Sequence, residues 1–206
     1  MKESERIEVF ARLNHICRYV IEEAEVLNEL IDYIEDKDSI SRKISSIEDE
    51  ADVEMHALHY YYQNESLLRD NEAMLIFEVI HAVEDCTDTI DDVGEALIRY
   101  NVTEMNETLA TAIYNVKGAA EKVSELIGLI QNVPTNKTPT KQIIELDRYK
   151  IEYKKVYDEA IKDLFTNNYN PVDVLRMHKI YDAFMDIYKA FELVSEKCGK
   201  YSIFMD

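Results

Sequence analysis

The sequence predicts an all-α protein, and three observations favour this fold class. Only four glycines and three prolines occur among 206 residues, so residues that interrupt helices are scarce. Apolar residues recur at alternating steps of three and four, which is the period of a buried helical face. No segment shows the alternation of apolar and polar residues that is typical of a strand. We therefore expect long helices along the whole chain.

Three helices are predicted in the first half, at about residues 4–36, 39–63 and 71–99. The apolar face of the first runs through Ile7, Phe10, Leu13, Cys17, Val20, Ala24, Leu27, Ile31 and Ile34. Three more helices are predicted at about residues 103–131, at about 141–166 and from Pro171 onward. Asn170 is the expected N-cap of the last one. The stretch NVPTNKTPTK, residues 132–141, is the clearest predicted loop.

The order of long, medium and long helices repeats after about 100 residues, which predicts an internal duplication. One repeat would cover about residues 1–100 and the other about 101–206. Short links favour antiparallel neighbours. We therefore expect a single domain, residues 1–206, folded as a six-helix bundle of two tandem three-helix repeats.

The formal net charge of −19 excludes some classes of partner. Nucleic acids attract clustered Lys and Arg, and no basic face is evident, so we expect no nucleic-acid binding. Anionic membrane surfaces are disfavoured for the same reason. The charge is also uneven, because residues 1–100 carry 26 acidic and 9 basic side chains whereas residues 101–206 carry 16 and 14. The first half either tolerates or uses a large negative charge.

The N-terminal residues and the cysteines predict a cytoplasmic protein. Charged residues stand where a signal peptide needs an apolar run. No window approaches the roughly 20 apolar residues of a membrane span, so we expect no direct membrane insertion. The three cysteines are odd in number and widely spaced, which favours reduced core thiols at Cys17, Cys86 and Cys198.

Two predicted helices carry acidic side chains beside their apolar faces. Glu48 and Asp52 are four residues apart in the second helix, and Glu84 and Asp88 have the same spacing in the third, where Asp91 continues the flank. Like charges at this spacing destabilise an isolated helix by roughly 0.2–0.5 kcal/mol per pair. A multivalent cation would remove this repulsion, since carboxylates are suitable ligands for it. A solvated acidic flank is the alternative, because acidic helices are common.

Three segments carry a further signal: IEDEADVEMH (residues 47–56), AVEDCTDTIDDVGEAL (residues 82–97) and YDEAIKDLFTNNYNPVDVLRMHKIYD (residues 157–182). They resemble segments of the PhoU-like family, in the branch of accessory proteins of Pit-type phosphate permeases. The resemblance implies a six-helix bundle of two repeats, each able to hold metal through E/D-x-x-x-D motifs on two helices. For the first repeat it implies the ligands Glu48, Asp52, Glu84 and Asp88, with His56 as an auxiliary group and Asp91 as a further candidate. The ion would be divalent or ferric, with Fe, Mn and Zn as candidates.

The second half departs from the family pattern at all four motif positions, which hold Lys150, Lys154, Met185 and Lys189. A lysine ammonium repels a metal ion and cannot bind it. We therefore expect metal in the first repeat only. We also expect the lysines to pair with acidic neighbours such as Glu152, Asp186 and Glu192. Asp182 and Asp186 retain the motif spacing in a shifted position, so a weak remnant site stays open.

Two functions are compatible with these features, and neither is enzymatic, because no nucleophile with a base and no phosphate-binding loop is present. The first is a metal-binding cytoplasmic accessory protein that regulates inorganic phosphate transport. Its partner would be a Pit-type permease or another transport or regulatory protein. The second is a metal-free helical scaffold or adaptor that keeps the fold without the metal chemistry. A homodimer is also compatible with the sequence.

Overall fold

The computed structural model describes residues 1–132 and 139–205. These residues form six α-helices and no strand, which confirms the all-α prediction. Most of the loop predicted at residues 132–141 lies outside the described residues. The helices are α1 (Glu3–Asn28), α2 (Lys37–Asn64), α3 (Asn71–Arg99), α4 (Glu107–Ile130), α5 (Thr140–Thr166) and α6 (Pro171–Met205).

The first helix is shorter than the sequence predicts. It ends at Asn28, and two 3₁₀ turns, Glu29–Ile31 and Ile34–Asp36, precede α2. The chain reverses here so that α2 packs back along α1. Leu30 is buried, and Ile31 and Ile34 pack against the core, so their spacing fits the period of a continuing helix. No glycine or proline marks the turn, which is why the sequence does not reveal it.

The buried face of α1 also begins at a different residue from the one expected. Ile7 is 58% exposed, whereas Glu5 is buried four residues before the core residue Val9. The face therefore passes through Glu5, whose carboxylate accepts hydrogen bonds from the backbone N–H and the ammonium of Lys2, each at 2.8 Å. The sequence does not reveal that the buried face of α1 includes Glu5 and not Ile7, because an apolar residue at position 7 fits the expected helical period.

The link between α3 and α4 is longer than predicted because both ends are capped by local hydrogen bonds. Asn101 adopts a left-handed conformation with φ of 49°, and the N–H of Val102 donates to Leu97 O at 2.9 Å, which forms a Schellman motif. At the other end Asn106 caps α4 by accepting from the Leu109 N–H at 2.8 Å. The predicted cap of α6 is confirmed, since the Asn170 side chain accepts from the Val172 N–H.

The helices pack as a bundle in two groups of three. Helices α1, α2 and α3 contact one another, and so do α4, α5 and α6; α1–α4 and α3–α6 contacts join the groups. Glu78 of α3 pairs with Lys197 and Lys200 of α6 at 3.3 and 2.8 Å. The three cysteines lie unpaired in the core, where burial raises the pKa of Cys17 to about 12. Within the described ranges, no helix has both the length and the apolar character of a bilayer span.

Helices α2 and α3 approach closely near Gly94. A Cβ at this position would lie 3.2 Å from Ser41 Oγ, which is tighter than an ordinary contact. One α-helical turn away, Ser45 of α2 donates to the carboxylate of Asp91 on α3 at 2.6 Å. The small residue and this hydrogen bond set the separation of the two helices, so their acidic flanks line the same groove.

Candidate metal centre

The acidic flanks of α2 and α3 meet at one level of the groove. Glu48, Asp52 and Asp88 each place one carboxylate oxygen within 4.8 Å of the other two. Across residues 1–132 and 139–205, this is the one group of three or more acidic, histidine or cysteine side chains that is so close. Three of the six residues proposed from the sequence are thus brought together.

Mutual repulsion and partial burial perturb these carboxyl groups. Desolvation, with the charges of Asp52 and Asp88, raises the pKa of Glu48 to about 7. Desolvation, with the charges of Glu84 and Asp52, raises the pKa of Asp88 to about 6, although this residue is exposed. The negative charges are therefore held together at a free-energy cost near neutral pH.

The other three residues proposed from the sequence lie outside this group of three. The carboxylate of Asp91 is held by Ser45, and its pKa is raised by desolvation against the opposing effect of that hydrogen bond. Glu84 Oε2 lies 3.1 Å from the Nδ1 atom of His81. His56 is exposed, and its Nδ1 atom lies 2.8 Å from the backbone oxygen of Asp52 on its own helix.

Glu23 of α1 is the acidic residue that the sequence analysis missed. Its exposed fraction is 0%, and neither of its carboxylate oxygens has a hydrogen-bond partner among the described residues. Desolvation raises the pKa of Glu23 well above its usual range, and the charges of Asp91, Glu48 and Asp88 raise it further. Helix α1 therefore places a buried, unpartnered carboxyl group near the acidic side chains of α2 and α3.

A signal for Glu23 was present in the sequence. The residue lies three positions after Val20 and four before Leu27, both buried residues of α1, so it occupies a core position of the apolar face. Acidic residues are almost never fully buried unless they are paired. An acidic residue in the middle of an apolar face therefore indicates either a partner or a ligand.

The lysines at the motif positions that the family resemblance implies for α5 and α6 form ion pairs. Lys150 of α5 bonds to Glu192 of α6, and Lys189 lies 2.7 Å from Asp186, so both predicted pairings are confirmed. Lys154 pairs with Asp158 at 3.3 Å, an acid that the sequence analysis did not name. Met185 is partly buried and packs against the core.

The two acids of the remnant motif are also engaged by neighbours in α5 and α6. Asp182 accepts a hydrogen bond from the Tyr157 hydroxyl at 2.7 Å, and its other oxygen lies 3.0 Å from His178 Nδ1. Asp186 is the partner of Lys189. The second groove is therefore electrically balanced where the first is not.

The acidic groove fits a cation on the chemistry and spacing of its donors. Oxygen ligands lie at about 2.0–2.6 Å from ions such as Mg²⁺ and Ca²⁺, so ligands on opposite sides of one ion are about 4–5 Å apart. One carboxylate oxygen from each of the three acids lies within 4.8 Å of the others, which is close enough for the three to share one ion. Glu48, Asp52 and Asp88 are the residues that could hold the ion; Glu23 lies outside this group and interacts with it through its charge.

The chain matches no protein-family model and shows no significant match to a curated protein sequence. The PhoU-like resemblance consequently stays a prediction from the three quoted segments.

Proposed function

We propose that this protein is a metal-binding cytoplasmic regulator of inorganic phosphate transport, an accessory protein to a membrane permease. The observation that carries the metal part is Glu23, a fully buried carboxyl group without a partner, beside three carboxylates of α2 and α3. The phosphate part is supported by the resemblance of residues 47–56, 82–97 and 157–182 to the PhoU-like family.

Three occupants could satisfy the Glu23 carboxyl group, and only a cation satisfies the whole groove. A water molecule supplies hydrogen bonds but leaves the negative charge in place. A proton removes the charge, yet the resulting O–H group still lacks an acceptor, which costs about 1–3 kcal/mol when buried. A cation bound by Glu48, Asp52 and Asp88 neutralises their charge and also offsets the charge of the nearby Glu23.

A metal ion would also explain how so acidic a protein can bind phosphate, which is an anion. The first half carries 26 acidic and 9 basic side chains, which repel free phosphate. A bound cation inverts the local potential and can take phosphate oxygens as further ligands. Because its ligands come from α2 and α3, binding would also fix the surface of these two helices for docking to a permease.

Metal titration of the purified full-length chain tests the site. Chelator-stripped protein is loaded with Mn²⁺, Fe³⁺ or Zn²⁺, and elemental analysis is paired with thermal melts. At free metal 100 times the Kd we expect a gain of about 2.7 kcal/mol, or roughly 5–10 °C in Tm. Asp52→Asn/Asp88→Asn should lose this gain, and Glu23→Gln should reduce it.

The matched control is Asp49→Asn/Asp92→Asn. It removes the same charge from the same two helices. Asp49 follows Glu48 by one residue and Asp92 follows Asp88 by four, and both are exposed. This variant should bind metal as the wild type does. Equal binding by the control and by Asp52→Asn/Asp88→Asn would show that the ion is attracted by net charge alone, and the proposed site would be wrong.

Phosphate uptake tests the regulatory role. In cells that lack the protein, wild type and the control variant should restore the normal uptake rate of labelled phosphate, and Asp52→Asn/Asp88→Asn should not. Co-purification of the wild type with a phosphate permease is expected from the same cells. Metal binding with no change in uptake would retain the metal site and reject the phosphate role.

A metal-free helical adaptor is the second candidate, and the lysine pairs of α5 and α6 favour it, because side chains alone balance the acids there. In that case no ion would bind. Asp52→Asn/Asp88→Asn would then melt at a higher temperature than the wild type, since the substitutions remove like charges.

A further inference from the structure

Two histidines face each other across the α2–α3 groove, outside the acidic group. The Nε2 atoms of His59 and His81 lie 3.2 Å apart. His59 follows Asp52 by seven residues and His81 precedes Asp88 by seven, so the pair lies two helical turns from the acids, about 10 Å along the groove. Both residues are partly exposed, so ions in solution can reach the pair.

The neighbours of the pair determine where its protons lie. His81 Nδ1 is 3.1 Å from Glu84 Oε2. An ionised carboxylate only accepts hydrogen bonds, so Nδ1 carries the proton and the neutral ring has its lone pair on Nε2. His59 Nε2 then donates to that lone pair. If the His59 proton moves to its own Nδ1 atom, two neutral imidazole lone pairs point at the same space.

The spacing of the two nitrogens matches a shared metal ion. Two nitrogens bound to Zn²⁺ at tetrahedral angles are about 3.3–3.4 Å apart, given Zn–N bonds of about 2.0–2.1 Å. The observed 3.2 Å is close to this value. Phe77 lies against both rings, with centroid distances of 5.2 Å to His59 and 4.6 Å to His81, and limits their rotation.

Glu84 supplies what metal-binding histidines commonly have, a carboxylate on the other ring nitrogen. Its contact with His81 holds that ring with Nε2 toward His59. Burial and the neighbouring His81 also lower the pKa of His59, which favours the neutral ring that a metal needs.

We propose that His59 and His81 form a second cation site, for a transition-metal ion that prefers nitrogen ligands, such as Zn²⁺, Ni²⁺ or Cu²⁺. Glu84 is a positioning residue that orients His81. Water or an external ligand completes the coordination. This site is independent of the acidic group, whose oxygen donors suit harder ions.

Copper and zinc titrations in the Asp52→Asn/Asp88→Asn variant test this proposal, because that variant lacks the acidic group. We expect one Cu²⁺ ion whose electron paramagnetic resonance spectrum shows splitting from two nitrogen ligands. Adding His59→Gln or His81→Gln should remove this spectrum and abolish calorimetric Zn²⁺ binding. Adding Glu84→Gln should keep the spectrum and weaken Zn²⁺ binding by about 10–100-fold.

Two of the three other histidines provide the controls. His15→Gln and His178→Gln should each leave the spectrum and the Zn²⁺ affinity unchanged, whereas His56 is not used because it is an auxiliary candidate of the acidic site; circular dichroism checks that every variant is folded. A wild-type-like spectrum in both the His59→Gln and His81→Gln variants would overturn the proposal. So would the absence of nitrogen splitting in the parent variant, which would leave the pair as a simple hydrogen bond between two rings.

Discussion

The α2–α3 and α5–α6 grooves both carry charged side chains but balance them differently. In the first groove, Glu48, Asp52 and Asp88 stand within 4.8 Å of one another. In the second, Lys150 crosses from α5 to Glu192 of α6, and Lys189 bonds to Asp186. The second groove shows how the chain neutralises this position with its own side chains. The first groove has no lysine or arginine among these three acids, so its charge is left for a proton or a cation.

The neighbouring helix sharpens the contrast. Glu23 of α1 adds a fourth acid, fully buried, to the first groove. In the other group of helices, Lys122 of α4 is partly exposed and pairs with Glu125 of its own helix and Glu145 of α5. One group therefore concentrates unpaired acids, and the other distributes charges as pairs. This difference contributes part of the uneven net charge of the two halves.

The largest expected effect comes from removing the buried acid. In metal-free protein, Glu23→Leu should stabilise the fold by about 1–3 kcal/mol, because a buried, unpartnered carboxyl group is replaced by an apolar side chain. Urea unfolding measures the change. Glu22→Leu, at the exposed neighbouring position, should stay within about 0.5 kcal/mol of the wild type. A destabilised Glu23→Leu would mean that the carboxyl group has a partner of its own in the metal-free protein.

A smaller effect is expected from making the second groove resemble the first. Lys150→Glu would place an acid beside Glu192, with loss of about 1 kcal/mol of stability in urea unfolding, since it breaks a partly exposed pair. Lys155→Glu, the same change at an exposed position of α5, should have little effect. If both substitutions cost the same, the Lys150–Glu192 pair contributes nothing specific.

The smallest effect is a pH dependence of the metal-free protein. Raised pKa values of Glu48 and Asp88, about 7 and about 6, mean that the folded state binds more protons than the unfolded state between about pH 4.5 and 7. Stability should therefore fall as pH rises through this window. The lowered pKa of His59 acts in the opposite direction below pH 6.5. Glu48→Gln should flatten the fall, and an unchanged slope in chemical denaturation at pH 5 to 7.5 would contradict this assignment.

The fold was accessible from the sequence to a large extent. Scarce helix breakers and the three-and-four spacing located all six helices, and α3 begins and ends within a residue of its prediction. The end of α1 was missed because Leu30, Ile31 and Ile34 are apolar on both sides of the turn. The start of α4 was missed because Asn106, the cap, lies within a stretch whose spacing still looks helical. The internal duplication stays a prediction.

Only part of the candidate site could be predicted from the sequence, for a physical reason. Spacing along one helix places Glu48 near Asp52, because positions four apart share a face. It does not decide which residues of another helix stand opposite. The contact at Gly94 and the packing of α1 on α2 and α3 made that choice: they brought Asp88 to the group, turned Glu84 toward His81 and buried Glu23 beside them. The sequence by itself determined that acids line these helices, and the tertiary structure alone decided which of them meet, because contacts between helices depend on register and rotation.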